Sequence, residues 1–176
     1  MHIGVVNGPN LNLLGVREPE RYGTATLAEI EAAVRARARE RGVDVSWEQS
    51  NQEGGVVDAI QALRGRAHGA LINAAAYTHT SLAVRDAVLA AAVPFVEVHL
   101  SNPWAREEVR RHSLLADLAV GIVAGFGADA YLLALDGLVK WLEGSGRIPG
   151  ERSGVRHGAR SISLFRDSSI DDGPKE

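Results

Sequence analysis

The sequence predicts an α/β fold: a doubly wound, flavodoxin-like sheet of five parallel strands with helices on both faces. Three observations predict it. Strand-like apolar runs alternate with helical patterns from residue 2 to residue 144. Most of these runs are apolar throughout rather than at every second residue, as in strands covered on both faces. Polar residues gather where strands give way to helices, the place where sheets of this kind bind ligands.

The first strand is HIGVV (2–6). NGPNLNLLGVREPERYG (7–23) then abandons hydrophobic periodicity for Asn, Gly and Pro, and ends in a charged segment carrying Arg17 and Tyr22. TLAEIEAAVRARARERG (26–42) is an amphipathic helix, with a Thr26–Glu29 capping box at its start and Gly42 as its stop. VDVSWEQ (43–49) alternates as the second strand, and a Ser50–Glu53 capping pair is expected to open the second helix, GGVVDAIQALRG. GALINA (69–74) is the third strand, TSLAVRDAVLAAA (80–92) the third helix and PFVEVHL (94–100) the fourth strand. A short helix is expected near REEVRRH, a fifth strand at LAVGIVAG (118–125) and a long closing helix at ADAYLLALDGLVKWLEG (128–144). Residues 1–144 therefore read as one catalytic domain. From residue 145 to 176 the chain turns to Gly, Ser, Arg and Asp without an apolar period, which reads as a mostly disordered polar tail.

Composition removes several function classes. A chain of 176 residues with a net charge of −3 has no basic excess for nucleic acid or an anionic membrane. No apolar run is long enough to span a bilayer and no signal-peptide pattern opens the chain, so a cytoplasmic location is expected. The absence of cysteine excludes disulfides and thiolate chemistry. Of the 19 basic residues only Lys140 and Lys175 are lysines, which leaves a Schiff-base mechanism almost nothing to use.

Three junctions carry the chemistry. In EVHLS, strand alternation puts Glu97, His99 and Ser101 on one side and the valine and leucine on the other. A carboxylate beside an imidazole fixes its tautomer, which makes His99 a proton donor or acceptor; the plainer alternative is a structural histidine at a strand end. A metal site built from His79, Glu97 and His99 is a further alternative, without HExxH or a comparable ligand spacing behind it. NAAAYTHTS offers Asn73 at a strand end and then His79, with hydroxyls that can do no more than cap the next helix. Arg17 and Tyr22 are harder to explain structurally. A guanidinium near a phenol favours the phenolate, a strong base, and a segment holding both could close over a substrate.

Together the three stretches resemble the type II 3-dehydroquinases (3-dehydroquinate dehydratases), and the resemblance runs from Ile3 to about Trp141. It implies elimination of water from 3-dehydroquinate through an enolate, without metal or organic cofactor, in aromatic biosynthesis or quinate breakdown. On this resemblance Tyr22 is the base and Arg17 the lid arginine that keeps it ionised. Asn10 holds a water against the enolate oxygen, and His99, oriented by Glu97, is the acid. Asn73, Ser101 and the Leu100 backbone amide contact the carboxylate and a hydroxyl, while His79 and Arg110 take the ring hydroxyls. Asp86 reaches a neighbouring subunit's site, and Arg106 plays a supporting part. The resemblance implies a homo-oligomer, a dodecamer of four trimers. The tail after the last helix departs from the family pattern. A phosphate- or flavin-binding module would want hydroxyls in NGPNLNLLG, and a response-regulator domain would want acids at Asn7 and Asn10; neither pattern is present.

Overall fold

The computed structural model describes residues 1–16 and 24–145. Its strands are β1 His2–Asn7, β2 Asp44–Gln49, β3 Gly69–Asn73, β4 Phe95–His99 and β5 Gly121–Ala124. They form one parallel sheet in the order β2-β1-β3-β4-β5, the flavodoxin-like order. The helices are α1 Leu27–Glu40, α2 Glu53–Gln61, α3 Tyr77–Thr80, α4 Leu82–Ala91 and α5 Asp129–Ser145. The tail predicted for 145–176 lies outside the described residues from 146 onward.

Side-chain alternation divides the core in two. Ile3 and Val5 of β1, Leu71 of β3 and Val96 and Val98 of β4 face α1 and α5, where Ile30, Val34, Leu135 and Leu138 meet them. Val6, Ala70, Ile72 and Phe95 face the other way, onto Val56 and Ile60 of α2 and Val84 and Val88 of α4. Helices thus cover both faces, and β1, β3 and β4 are buried almost end to end. Leu138 is fully buried, so its truncation to alanine would cost about 2–5 kcal/mol.

The helix starts show how local chemistry set the boundaries. Thr26 caps α1 as expected: its hydroxyl accepts from Glu29 N at 3.2 Å, while Glu29 Oε2 accepts from Thr26 N at 2.8 Å. Ser50 does not cap α2 in that manner. Its hydroxyl accepts from Gln52 N, two residues on, at 3.0 Å, so the turn it forms delays the helix to Glu53. The third predicted helix is split. Ser81 caps α4 by accepting from Val84 N at 2.9 Å, and the four-residue α3 precedes it. The helix predicted near residue 106 is a pair of 3-10 turns, Pro103–Ala105 and Glu108–Arg110. The second turn buries no residue, so no apolar stripe is present to extend it. The fifth strand starts at Gly121, later than expected, and Arg85 holds the segment ahead of it, donating to both Asp117 oxygens at 2.6 and 2.8 Å and to the Leu114 carbonyl.

The order of the strands places the site. The chain runs from β1 outward to β2, then crosses back to β3 on the other side of β1. The connections after β1 and β3 therefore part over opposite faces and leave a crevice at their carboxyl ends. The parallel register sets Asn7 level with Asn73 across this gap. Among the described residues no helix is long and apolar enough to cross a membrane.

Candidate active site

The crevice at this switch point has a cavity volume of about 110 Å³ and opens to solvent. The first strand's exit forms one border. Gly8 N donates to the Asn73 carbonyl at 2.8 Å, one step beyond the strand ladder. A Cβ at Gly8 would overlap the Ala74 backbone, so only glycine permits this approach. Asn10 follows with φ at 66°, a left-handed conformation that asparagine tolerates better than most residues. Its N–H donates to Asn51 Oδ1 at 2.9 Å, which ties the turn to the end of β2. Leu11 and Leu14 are buried and anchor the turn, and together with Asn10 and Leu13 they border the crevice.

β3 ends in Asn73, only 3% exposed. Its Oδ1 accepts from Ala75 N at 3.3 Å and its Nδ2 donates to the Tyr131 hydroxyl at 2.9 Å. Tyr131 in turn donates to Asn7 Oδ1 at 2.6 Å, and Asn7 Nδ2 donates to the Glu48 carbonyl at 3.1 Å. Burial pushes the Tyr131 phenol far up, so the group stays protonated. Ala75 carries a φ of 51°, which costs an alanine about 1–2 kcal/mol; the Asn73 side chain holds the turn in which that conformation sits.

β4 supplies the ionisable groups. Glu97 and His99 share the face that alternation assigned them, and the His99 Nε2–Glu97 Oε1 distance is 2.6 Å. Glu97 is 1% exposed, and its second oxygen accepts from Ser113 Oγ at 2.9 Å. The Ser113 oxygen itself accepts from Leu115 N and Ala116 N, both at 3.0 Å. Those two bonds leave the hydroxyl proton one direction, toward Glu97. With Nε2–H engaged by the carboxylate, Nδ1 is the His99 atom left to exchange a proton.

His79 stacks beside His99, ring centroids 6.3 Å apart and planes 14° from parallel. Its Nδ1 lies 2.7 Å from the His112 carbonyl, which can only accept, so Nδ1 carries the hydrogen and Nε2 is an acceptor. Burial lowers the His79 pKa against an opposing bond to that carbonyl, and the nearby His99 and Arg110 lower it further. The ring is neutral near pH 7.

Arg110 and Arg106 line the far side. Arg110 Nε donates to Glu107 Oε1 at 2.6 Å. Glu107's own backbone N–H and this arginine hold its carboxyl down to about 2. Arg106 Nε lies 3.6 Å from Glu107 Oε2, and the Arg106 carbonyl accepts from Arg111 Nε at 2.9 Å.

The structure therefore brings together Asn10, Asn73, His79, His99, Leu100, Ser101, Arg106 and Arg110, with Glu97 directly behind His99. Leu100 is largely buried in the core and also borders the crevice. Asp86 lies on the exposed side of α4, outside this lining. Arg17 and Tyr22 lie outside the described residues. The chain ends that flank them meet: a Cβ at Gly15 would come 2.9 Å from the Thr24 carbonyl, next to crevice-lining Leu14. Among the described residues no three His, Asp or Glu side chains converge as metal ligands. Glu97 is shared between His99 and Ser113, and His79 turns Nδ1 to a carbonyl.

Sequence reasoning missed Asn7, Tyr131 and Ser113. For Tyr131 a signal existed, since a tyrosine on the apolar stripe of a buried helix needs a partner for its hydroxyl. Nothing local marked Ser113 as a partner of Glu97.

The comparisons with known proteins agree with this geometry. Residues 1–139 match the family model described as dehydroquinase class II. A 3-dehydroquinate dehydratase of Gemmatimonas aurantiaca is 57% identical over 143 residues, 81% of this chain and 94% of that protein. One from Synechococcus sp. (strain CC9605) is 55% identical over 142 residues, 81% of this chain and 97% of the other. Among solved structures, the type II dehydroquinase of Propionibacterium acnes superposes with a TM-score of 0.75 at 41% identity, over 79% of this chain and 96% of that one. The Butyrivibrio crossotus type II dehydroquinase gives 0.76 at 38% identity, over 79% and 97%. The chain belongs to the class II dehydroquinase family, the type II 3-dehydroquinate dehydratases.

Proposed function

We propose that this crevice eliminates water from 3-dehydroquinate to give 3-dehydroshikimate, through an enolate and without a metal or organic cofactor. A proton beside a ketone is weakly acidic, so its removal needs a strong positioned base and a stabilised oxyanion. In this reading Tyr22, ionised beside Arg17, takes that proton, and Asn10 holds a water against the enolate oxygen. The enolate then collapses, the carbon–oxygen bond of the β-hydroxyl breaks, and His99 delivers a proton to the departing oxygen. One water leaves and a conjugated enone remains. Glu97 offsets the charge of the imidazolium while it waits.

The observation that carries the reading is the buried Glu97–His99 pair, 2.6 Å apart at the mouth of a crevice shared with Asn10, Asn73 and Ser101. The other roles follow from the donors and acceptors available. Asn73, Ser101 and the Leu100 amide receive the carboxylate and a hydroxyl. The unprotonated Nε2 of His79 accepts from a ring hydroxyl, and Arg110 donates to another. The approach of Gly15 to Thr24 beside Leu14 supports a lid role for the segment carrying Arg17 and Tyr22, because the residues on either side of that segment lie at the crevice rim.

The same elimination serves the shikimate pathway and quinate catabolism alike. We read the assembly as a dodecamer of four trimers in the cytoplasm, with the exposed Asp86 offered to a neighbour's site. The test is ultraviolet absorbance: the purified protein given 3-dehydroquinate should produce the enone, with and without a chelator. Loss of activity on chelation, restored by a divalent ion, would overturn the cofactor-free reading.

A further inference from the structure

We propose that Tyr131 is a positioning residue, and that its buried hydroxyl fixes Asn73 as a hydrogen-bond donor to the ligand. The inference deepens the reading above, because it rests on Asn73 contacting the substrate.

The hydrogen bonds can be assigned a single direction. Asn73 Oδ1 takes the Ala75 N–H, so Nδ2 must be the atom facing Tyr131. The Tyr131 oxygen therefore accepts from Asn73, and its one proton must go elsewhere. It goes to Asn7 Oδ1, 2.6 Å away, whose own amide is oriented by Nδ2 donating to the Glu48 carbonyl. The chain runs one way, from Asn73 through Tyr131 and Asn7 to Glu48, and bonds aligned in this manner polarise one another. Asn7 and Tyr131 are both fully buried, so water cannot stand in for any partner.

The consequence reaches the crevice. An unrestrained asparagine can turn its amide over and offer oxygen or nitrogen to a ligand. Here a flip would set Nδ2 against the Ala75 N–H, and Oδ1 could be satisfied only by drawing the Tyr131 proton away from Asn7. Asn73 is thus left with its second Nδ2 hydrogen to give. It recognises an acceptor such as a carboxylate oxygen. The phenol is held protonated by its burial, so the direction persists across the working pH range.

The test is steady-state kinetics with 3-dehydroquinate on wild type, Tyr131→Phe, Asn73→Ala and the double variant, with circular dichroism and thermal unfolding alongside. Tyr131→Phe keeps the ring, which packs against Trp47 at 5.8 Å, and removes only the hydroxyl. Its KM should rise about five- to tenfold, the scale of one lost hydrogen bond, with kcat within about twofold. The double variant should be no worse in KM than Asn73→Ala, since Tyr131 acts through Asn73. A lower melting temperature with unchanged KM would overturn the proposal and leave a structural tyrosine. Additive KM effects would overturn it as well. Unchanged KM in Asn73→Ala would instead sink the substrate contact itself, and the inference with it. Should Tyr131→Phe fail to fold, Asn7→Ser, which withdraws the acceptor of the phenol proton, carries the test: KM should rise in the same direction, and an unchanged value overturns the proposal.

Discussion

On the β4 side of the crevice the polar groups centre on a carboxylate–imidazole pair, and on the β1–β3 side they are two amides and a phenol. Glu97, His99 and Ser113 lie on the sheet face covered by α2 and α4. Asn7, Asn73 and Tyr131 lie on the face covered by α1 and α5. In the first set the Glu97 carboxylate and the His99 imidazole share a hydrogen-bonded proton. The second set shares none: two amides and a phenol held protonated form bonds that keep one direction. A buried charge is costly unless it is paired, so the β4 side is ordered by its pairing. A buried amide is costly unless satisfied at both ends, so the β1–β3 side is ordered by completeness. The crevice lies where the two meet, with one wall suited to moving a proton and the other to holding a ligand still.

The largest effects should come from removing the groups that move protons. Tyr22→Phe deletes the proposed base and His99→Ala the proposed acid. Each should lower kcat by about 10²–10⁴-fold, roughly 3–5 kcal/mol of barrier. Stopped-flow or steady-state absorbance of the enone measures this, with circular dichroism to establish folding. Near-wild-type kcat in either folded variant removes that residue from the chemistry. Alkalinity should restore some activity to Arg17→Ala, where the phenol is intact but harder to ionise, and none to Tyr22→Phe.

A smaller effect is expected one shell further out on the same wall. Glu97→Gln keeps the shape but replaces a charge with an amide that must still accept from Ser113. Its nitrogen then faces His99 Nε2, which forces the imidazole toward the other tautomer. Loss of such an orienting partner costs about 10–100-fold in activity, and the loss should appear in kcat more than in KM. A change confined to KM would place Glu97 with the ligand-holding wall and erase the contrast drawn here.

How much of this was legible in the sequence follows the same division. Glu97 and His99 are two residues apart on one strand, so the period-2 alternation that predicted their common face also predicted their contact. The parallel sheet with helices on both faces was legible because apolar runs and helical stripes alternate without interruption, and α1 was legible to its cap because Thr26 and Glu29 are three residues apart. The amide network was not, since Tyr131 lies 58 residues from Asn73 and 124 from Asn7. No local pattern links positions that meet only after the sheet has formed. Ser50 misled for a related reason: serine can bond two residues ahead as readily as three, and spacing alone does not choose. Its place at a strand end marked Asn73, the resemblance to a known family supplied Asn10, and Tyr131 required the fold.

The β1–β3 wall can be strained without touching any of its polar groups. A methyl at Gly8 would overlap the Ala74 backbone, and backbone cannot yield as a side-chain tip can. Gly8→Ala should therefore destabilise the protein by about 1–3 kcal/mol, seen as a lower denaturation midpoint. It should also raise KM, because Ala74 is the residue after Asn73. A fully stable Gly8→Ala variant with unchanged KM would show that the close approach of β1 and β3 is not what holds this wall.

The smallest effect concerns His79, which stands between the two walls and carries an ionisable group held neutral. Its folded-state pKa lies below the ordinary 6.5, first because of burial and then because of its charged neighbours. In the unfolded chain the ring takes up a proton as the pH falls through about 6.5, whereas in the folded protein it resists until lower pH. Over that interval the unfolded state binds more protons, so stability rises with pH and is lost as pH falls below 6.5. His68 is shifted in the same direction, by burial and by the amino terminus, and contributes to the same slope. His79→Gln keeps a side-chain N–H that can reach the His112 carbonyl but no longer titrates. The melting temperature of this variant should fall less steeply between about pH 7 and pH 5 than that of wild type, and His68→Gln should remove the other part. An unchanged slope in His79→Gln would mean that the ring accepts its proton in the folded state as easily as in water. The His79 ring would then carry a positive charge at mildly acidic pH, stacked beside His99 on the β4 wall.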